Sequence, residues 1–413
     1  MRSFVVNSID VVDDSPFDRQ ERISWWSQEK LSEAKVMVVG AGAIGNETLK
    51  NLALLGVGNI FIVDFDNVEK SNLSRTVLFR KSDVNKKKAE IAAARTKELS
   101  LFDKTRVDYF HGDVVWELGT GVFRNVDIVL GCLDNVESRF AINRQCWLAG
   151  TPWIDAGIYE LDGHVSLFSP PDTPCYQCHV SPERINEARH RYSCDNFKRS
   201  MLKEGKMPTV QISSAIVSAI QVQETVKYLC GQDVPFGKTI HYFGKINDFD
   251  VNNLTNDSNC LAHVSYPEVI SLPLDTVITL RTFLEYVSQP SLSGRGAYLD
   301  FRADRTFVTT VLCRKCRKSI DLYKPSFRIF DFETICNDCK DNRDQFNLQH
   351  QEIQTLKITI GQFDLFNTPQ RILNMTLREL GVPYLHIVAV ADKENNYKYY
   401  ELDGDKKAIF KRI

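Results

Sequence analysis

The stretch that most constrains the fold is a buried strand, at residues 36–39, that runs directly into a glycine-rich turn. The glycines of this turn, in a Gly-x-Gly-x-x-Gly spacing, are Gly40, Gly42 and Gly45. This spacing permits a tight turn, a close approach of the backbone to a phosphate, and packing of the next helix on its strand. The sequence therefore predicts a helix whose first amides, near Asn46 and Glu47, point at a nucleotide phosphate.

From residue 35 to about residue 231, apolar runs alternate with segments of helical spacing. The predicted strands cover residues 36–39, 60–63, 126–130 and 153–156. The predicted helices include residues 46–55, 86–99, 137–146 and 210–229. This alternation is typical of the α/β class with a doubly wound, largely parallel sheet. Because ligands bind beyond the carboxyl ends of such strands, we expect the functional side chains directly after them.

Polar residues that suit ATP follow the second predicted strand. Asp64 ends that strand, where a carboxylate holds ribose hydroxyls. Asn72 and Arg75 come next, and three lysines at residues 86–88 open the following helix. We expect Arg75 and one lysine to reach a common polyphosphate, with the other two lysines on a solvated face. A dinucleotide needs no such cationic cage, whereas the reacting phosphoryl chain of ATP does.

Asp134 and Asn135 follow the predicted strand at residues 126–130, and we expect both in the nucleotide site. A carboxylate at this point lies on the same rim as the glycine turn and is placed to ligate Mg²⁺ on the phosphates. The alternative is that Asp134 caps the helix that follows. Because Asn72 and Arg75 are expected on the same rim, we favour a metal-ligand role for Asp134.

These motifs, followed by Pro-Cys-Tyr-Gln-Cys at residues 174–178, stand in an order that resembles the adenylation domain of ubiquitin-activating enzymes and of ThiF-type adenylyltransferases. The resemblance covers residues 17–231, about half of the chain. It implies a Rossmann-like fold and, as in a bacterial activating enzyme, ATP- and Mg²⁺-dependent adenylation of the C-terminal glycine of a ubiquitin-like protein. A related enzyme that adenylates a sulfur-carrier protein, without thioester transfer, is the alternative.

The resemblance also implies roles for individual residues. It places Gly42 and Asp64 at the adenosine, and Asp134 at the magnesium ion. The residues that it places around the phosphates are Asn72, Arg75 and Lys88. Arg19, within Phe-Asp-Arg-Gln at residues 17–20, is implied to reach the ATP of the opposite subunit, so a homodimer is expected.

Two Cys-x-x-Cys pairs near residue 320 form a self-contained quartet. Its members are Cys313, Cys316, Cys336 and Cys339. Four thiolates satisfy a closed tetrahedral zinc site, and the spacing matches that of zinc ribbons. We therefore predict a structural zinc ion, against the alternative of reduced thiols without a ligand.

A third pair, Cys175 and Cys178, needs partners. The resembling family has a second Cys-x-x-Cys after the long helix, but this chain has Cys260 and His263 there. A Cys-x-x-His supplies one sulfur and one nitrogen, so a zinc site with three cysteines and one histidine is chemically sound. The alternative is that the pair shares ligands with the later quartet.

Four cysteines remain. Cys132, Cys146 and Cys230 fall in apolar contexts and are predicted to be core residues. Cys194 lies in the polar, locally basic segment 189–196, where nearby cations favour the nucleophilic thiolate. The resemblance implies that this thiol takes the activated protein from AMP as a thioester; an exposed loop thiol is the alternative.

We expect four segments: residues 1–30 with the in-trans arginine, 31–268 as the adenylation domain, 269–343 as a linker and zinc-ribbon-like region, and 344–413 as a small α+β module. By analogy with ubiquitin-activating enzymes, the last module recruits a conjugating enzyme or the substrate protein. A packing or dimerisation role is the alternative.

The amino-acid composition disfavours two classes of partner, nucleic acids and membrane surfaces. The 51 basic and 53 acidic side chains give a net charge of -2, so no global field favours nucleic acid or a membrane surface. The first residues resemble no signal peptide, and no run approaches roughly 18 apolar residues, which predicts a cytoplasmic protein. An NAD-dependent oxidoreductase would use the same glycine turn but leave Arg75, Lys88 and Asp134 without a shared role. A non-catalytic scaffold is disfavoured because the nucleotide residues and a candidate thiol occur in one chain.

Overall fold

A computed structural model describes residues 15–180, 209–301, 305–334, 336, 338–339 and 355–413. Its largest element is an eight-stranded sheet. The strands of this sheet are β1 (Lys35–Val39), β2 (Asn59–Val63), β3 (Arg106–Phe110), β4 (Ile128–Gly131), β5 (Trp153–Tyr159), β6 (Asp162–Phe168), β7 (Lys238–Phe243) and β8 (Asp248–Asn253). They lie in the order β3-β2-β1-β4-β5-β6-β7-β8. Pairing is parallel from β3 to β5 and antiparallel from β5 to β8, which confirms the predicted doubly wound, largely parallel sheet.

Helices cover both faces of this sheet. The described helices are α1 (Asp18–Glu21), α2 (Gln28–Glu33), α3 (Ala43–Leu54), α4 (Lys88–Leu99), α5 (Thr120–Arg124), α6 (Val136–Ala149), α7 (Gln211–Leu229), α8 (Leu280–Val287), α9 (Gln370–Leu373) and α10 (Lys406–Ile409). None of them is long and apolar enough to cross a membrane. In β1, Val36 and Val38 pack with α3, α4 and α7, whereas Met37 and Val39 pack with α5, α6 and α10. Both faces are therefore buried, which explains the continuous apolar runs of the sequence.

Two smaller sheets follow. Their strands are β9 (Val269–Leu272), β10 (Tyr298–Asp300), β11 (Phe307–Cys313), β12 (Ser319–Pro325), β13 (Thr355–Ile360), β14 (Gln362–Phe363), β15 (Ile387–Ala391) and β16 (Tyr397–Leu402). One sheet has the order β14-β10-β15-β16-β9, and the other has the order β12-β11-β13. Each sheet takes strands from both sides of residue 343, so that position does not separate two sheets.

The C-terminal region packs directly on the large sheet. The Gly119 and Gly121 amides donate to the carbonyls of Tyr384 (2.8 Å) and Leu385 (2.9 Å). At the end of the chain, the backbone N–H groups of Arg412 and Ile413 both donate to Asp108 Oδ2. The buried side chains of Ile409, at the end of α10, and of Phe410 complete the same core as the large sheet.

The sequence pattern at residues 371–380 favours a short helix, but α9 covers only Gln370–Leu373. The chain beyond it pairs with the segment before α8 instead. The Leu280 amide donates to the Met375 carbonyl (2.8 Å), and the Leu377 amide donates to the Ile278 carbonyl (3.0 Å). Backbone hydrogen bonds between these two segments therefore take the place of the helical hydrogen bonds expected after Leu373.

Candidate nucleotide-binding cleft and metal centres

A cleft of about 570 Å³ opens at the carboxyl ends of β1, β2 and β4. Its lining contains most of the residues that the sequence singled out, namely Gly40, Gly42, Asp64, Asn72, Arg75, Lys88, Asp134 and Asn135. Parallel strands end at this edge of the sheet, so residues distant in sequence converge there. The cleft has the size of a small-molecule site.

The glycine turn has two glycines that packing requires and one that faces open space. Gly40 has a φ of 96°, and a Cβ on it would lie 2.4 Å from the Cys132 carbonyl oxygen. A Cβ on Gly45 would lie 1.9 Å from the carbonyl oxygen of Gly40. Gly42 would have nothing within 4 Å of its Cβ. The backbone at Gly42 is therefore the point that a ligand can approach closely.

Helix α3 begins three residues earlier than its sequence pattern suggests. Gly42 is the N-cap, and the Asn46 amide donates to the Gly42 carbonyl at 3.0 Å. The prediction that amides near Asn46 and Glu47 face an anion is therefore wrong, because these amides are inside the helix. The amides of residues 42–45 belong to the first turn, where no intrahelical carbonyl pairs with them. They are the ones available to a phosphate.

The side chain of Asn46, which the sequence analysis did not assign, holds the glycine turn. It is fully buried, and its Nδ2 donates to the carbonyls of Ala41 (2.7 Å) and Gly42 (2.9 Å). Its Oδ1 accepts from the Leu78 amide at 3.0 Å. The turn is thereby joined to the chain that follows Arg75.

Asp64 also supports the glycine turn. Its Oδ2 accepts from the Ala41 amide, and its Oδ1 accepts from the Asp66 amide, both at 2.7 Å. Burial raises the pKa of Asp64, and the nearby Lys88 partly opposes that shift. The Asp64 carboxylate therefore holds the glycine turn in place. It does so directly after β2, where a carboxylate is expected to bind a ribose.

Lys88 is buried at the base of the cleft and forms an ion pair with Asp66, with 2.8 Å between Nζ and Oδ2. Burial alone would lower the pKa of Lys88, but Asp64, Asp66 and Asp134 together raise it above its ordinary value. The carboxylates around Lys88 thus favour its charged ammonium form in the cleft. Lys86 and Lys87 are exposed, as expected of a solvated face.

The capping role considered as the alternative for Asp134 belongs to its neighbour Asn135. Asn135 is the N-cap of α6, and its Oδ1 accepts from the Ser138 amide at 2.8 Å. The alternative that Asp134 caps this helix is therefore wrong. Asp134 lies exposed in the cleft lining, with its Oδ1 3.4 Å from Asn135 Nδ2. Its carboxylate suits an Mg²⁺ ion on a nucleotide, and the free amides of residues 42–45 suit the phosphates.

Other predicted site residues are placed as follows. Arg75 is half-buried in the cleft lining, and its Nη1 donates to the Ser71 carbonyl at 2.6 Å. The buried Asn72 accepts from the Glu69 amide through its side chain at 2.8 Å. Arg19 is exposed on α1 and does not line the described cleft of its own chain. Cys194 lies outside the described residues.

The first cysteine cluster contains all four residues that the sequence analysis proposed, Cys175, Cys178, Cys260 and His263, with ligand atoms within 4.8 Å of one another. Cys175 Sγ lies 3.7 Å from Cys178 Sγ and 3.6 Å from Cys260 Sγ. Cys178 Sγ lies 3.3 Å from His263 Nε2. Ligands of a tetrahedral zinc ion with Zn–S bonds of about 2.3 Å lie roughly 3.8 Å apart. The donor set and its spacing therefore fit zinc.

The second cluster contains Cys313, Cys316, Cys336 and Cys339. Their sulfur atoms also lie within 4.8 Å of one another, with 3.5 Å between Cys316 and Cys336. Each cluster therefore has four possible ligands of its own, and the alternative that the two clusters share ligands is wrong. The three remaining described cysteines, Cys132, Cys146 and Cys230, are buried as predicted.

Comparison with known proteins gives the family. The model of the ThiF family matches residues 17–262. The chain belongs to the ThiF family. Ubiquitin-like modifier-activating enzyme 5 of Drosophila ananassae is 31% identical over 282 residues, which cover 62% of this chain and 67% of that protein. The same enzyme of Drosophila grimshawi is 30% identical over 331 residues, which cover 73% of this chain and 78% of that protein.

Two further similarities are more limited. SUMO-activating enzyme subunit 2 of Dictyostelium discoideum is 38% identical over 151 residues, which cover 36% of this chain and only 22% of that protein. Among solved structures, E. coli MccB with ATP matches with a TM-score of 0.50 and 23% identity, over 61% of this chain and 75% of that chain. At this identity, the structural match supports the fold alone.

Proposed function

We propose that this protein is an ATP-dependent activating enzyme that adenylates the C-terminal carboxylate of a ubiquitin-like protein. The observation that carries the proposal is the combination, in one cleft, of a charged lysine, an exposed carboxylate and the open first turn of a helix. A polyphosphate with its metal ion needs these three groups. The relatives named as ubiquitin-like modifier-activating enzymes support the same substrate class.

The residues act by binding and orientation. The amides of residues 42–45 and the ammonium of Lys88 bind phosphate oxygens, and Asp64 holds the ribose. Asp134 would hold Mg²⁺, which would supply charge neutralisation on the phosphates. A carboxylate oxygen of the substrate attacks the α-phosphorus, a new P–O bond forms, and the bond to the bridging oxygen breaks with release of pyrophosphate. The step needs no proton transfer, so positioning and charge stabilisation suffice.

The second half-reaction uses Cys194. Its thiolate attacks the acyl carbonyl of the adenylate, a thioester forms, and AMP leaves with the electron pair of the broken C–O bond. The basic surroundings of Cys194 in the sequence support this role. A sulfur-carrier adenylyltransferase, which ends at the adenylate, is the competing function. We also propose a homodimer in which Arg19 reaches the partner's ATP, zinc at the two clusters, and a conjugating enzyme as a partner.

The test is ATP–pyrophosphate exchange with a candidate ubiquitin-like protein. Asp134→Ala and Arg75→Ala are expected to lower exchange by at least about 100-fold, because each removes a group that acts on the reacting phosphates. Lys87→Ala is the matched control, since Lys87 is an exposed neighbour of Lys88. Near-normal exchange in Asp134→Ala would refute the site.

Cys194→Ala separates the two branches of the proposal. The variant is expected to keep exchange and to lose a thiol-sensitive adduct on a non-reducing gel. If the wild type exchanges pyrophosphate but forms no such adduct, the adenylate-only function is correct. NADH binding in place of ATP binding would favour the oxidoreductase.

A further inference from the structure

Arg139 joins the loop that carries Asp134 to the neighbouring strand. It lies in the first turn of α6, its side chain is 11% exposed, and it contributes to the cleft lining. Its Nη2 donates to the carbonyls of Leu133 (2.7 Å) and Ala156 (3.3 Å). Its Nε donates to Asp155 Oδ1 at 2.9 Å. One guanidinium therefore connects the end of β4 to the backbone and a side chain of β5.

The pair of Arg139 and Asp155 is charged and fixed in place. Asp155 is fully buried; burial alone would raise its pKa, but Arg139 and His164 hold that pKa below its ordinary value. Its second oxygen lies 3.6 Å from His164 Nε2. A Cβ on Gly157 would lie 3.0 Å from Arg139 Nη2 and 2.3 Å from the His164 ring. The guanidinium is therefore packed against the backbone of β5 and cannot move toward it.

This arrangement determines where Asp134 can lie. The Leu133 carbonyl that Arg139 binds belongs to the peptide group that leads into Asp134. On the other side, Asn135 is held by its cap bond to the Ser138 amide. The backbone is thus fixed on both sides of Asp134, while the Asp134 carboxylate itself is exposed to the cleft.

We propose that Arg139, anchored by Asp155, is a positioning residue that aims the Asp134 carboxylate at the metal ion of the bound nucleotide. The inference rests on the proposed function, in which Asp134 is the metal ligand. Arginine suits the position because its planar fork donates in two directions at once. A lysine keeps the charge beside Asp155 but cannot hold the two strands in this way.

Arg139→Lys therefore separates positioning from the burial of an unpaired charge. Outer-shell partners of metal ligands typically contribute 10- to 100-fold to metal affinity. We expect Arg139→Lys to raise the Mg²⁺ concentration for half-maximal exchange about 10-fold or more, with the KM for ATP at saturating Mg²⁺ changed less than about 2-fold. Mn²⁺ binds oxygen and nitrogen sites more tightly than Mg²⁺ and is expected to restore exchange.

Arg378→Lys is the matched control. Arg378 pairs with the buried Asp405 at 3.7 Å, in the C-terminal region and away from the cleft lining. Its replacement is expected to lower the free energy of unfolding without a change in the Mg²⁺ requirement. An equal Mg²⁺ requirement in Arg139→Lys and the wild type, or an equal rise in Arg378→Lys, would overturn the inference.

A binding measurement keeps the inference separate from the reaction. Free Mn²⁺ is followed by electron paramagnetic resonance during titration of the protein in the presence of ATP. Weaker Mn²⁺ binding by about 10-fold in Arg139→Lys supports the positioning role even if the wild type fails to exchange pyrophosphate, which alone would refute the proposed function. Equal binding by both proteins, or no ATP-dependent Mn²⁺ binding by the wild type, overturns it.

Discussion

His263 provides the only nitrogen ligand atom of the first cysteine cluster, and its replacement tests that cluster most directly. The ring is oriented by Trp147, which stacks on it with 4.2 Å between ring centres and 15° between planes. Its Nε2 faces Cys178 Sγ at 3.3 Å. His263→Ala removes one of four ligands and leaves three cysteines, so a zinc ion would lose its closed tetrahedral site.

The structure gives the magnitude of the effect. A zinc ion bound by Cys178 and Cys260 closes a loop of roughly 80 residues. Closing a loop of this length restricts the unfolded chain by about 4.5 kcal/mol in the chain-entropy model, and metal clips act in the same way. We therefore expect His263→Ala to contain about one zinc ion per chain instead of about two, and to lose up to about 4.5 kcal/mol of unfolding free energy.

Zinc content by elemental analysis and unfolding in urea measure these two effects. His263→Cys is expected to restore both, because a thiolate is an equally good zinc ligand. His179→Ala is the control, since His179 is an exposed histidine directly beside Cys178 and outside the cluster. If His263→Ala keeps two zinc ions and unfolds like the wild type, the assignment of His263 as a ligand is refuted.

Two further predictions concern stability. Asn46→Ala breaks three hydrogen bonds, two of them buried, and leaves the Leu78 amide unpaired, so we expect a loss of about 2–4 kcal/mol in urea unfolding. Asn51→Ala, on the same helix, is the control, and an equal loss in both would contradict the role of Asn46. Burial raises the pKa of Asp113 to about 6, so ionisation of Asp113 destabilises the fold as pH rises from about 4 to 6. Asp113→Asn is therefore expected to be more stable than the wild type by up to about 3 kcal/mol at pH 7.5, because each unit between pKa values of 3.8 and about 6 corresponds to about 1.4 kcal/mol, with little difference at pH 4; identical unfolding at pH 7.5 would contradict this.

The metal clusters were predictable because their information is local. Each Cys-x-x-Cys or Cys-x-x-His presents two ligands from one turn, so only the pairing of turns depends on the fold. The chemistry of zinc then limits that pairing to sets of four. The departure from four cysteines to His263 did not hide the site, because imidazole and thiolate serve the same ion.

Predictions that depended on the position of a helix end were less successful. Asp134 and Asn135 are neighbours, and both side chains are good N-caps. In the structure α6 starts at Val136, so Asn135 is the N-cap. The start of α3 at Ala43 depends on the contact of Gly45 with Gly40. Sequence patterns locate a helix end only within a few residues, and here a single residue changes the role of a side chain.

The choice of Asn135 as the N-cap of α6 also leaves Asp134 available as the proposed metal ligand. Because Asn135 takes the cap, the carboxylate of Asp134 is left without that bond and is exposed at the cleft. The residues that hold this geometry are buried and bind backbone carbonyls, as Asn46 does at the glycine turn and Arg139 does at the Asp134 loop. A backbone carbonyl carries no sequence information, so such partners leave no pattern for a sequence to reveal. The ligand-facing groups of this cleft can therefore be inferred from the sequence, whereas the groups that position them can be identified only from the fold.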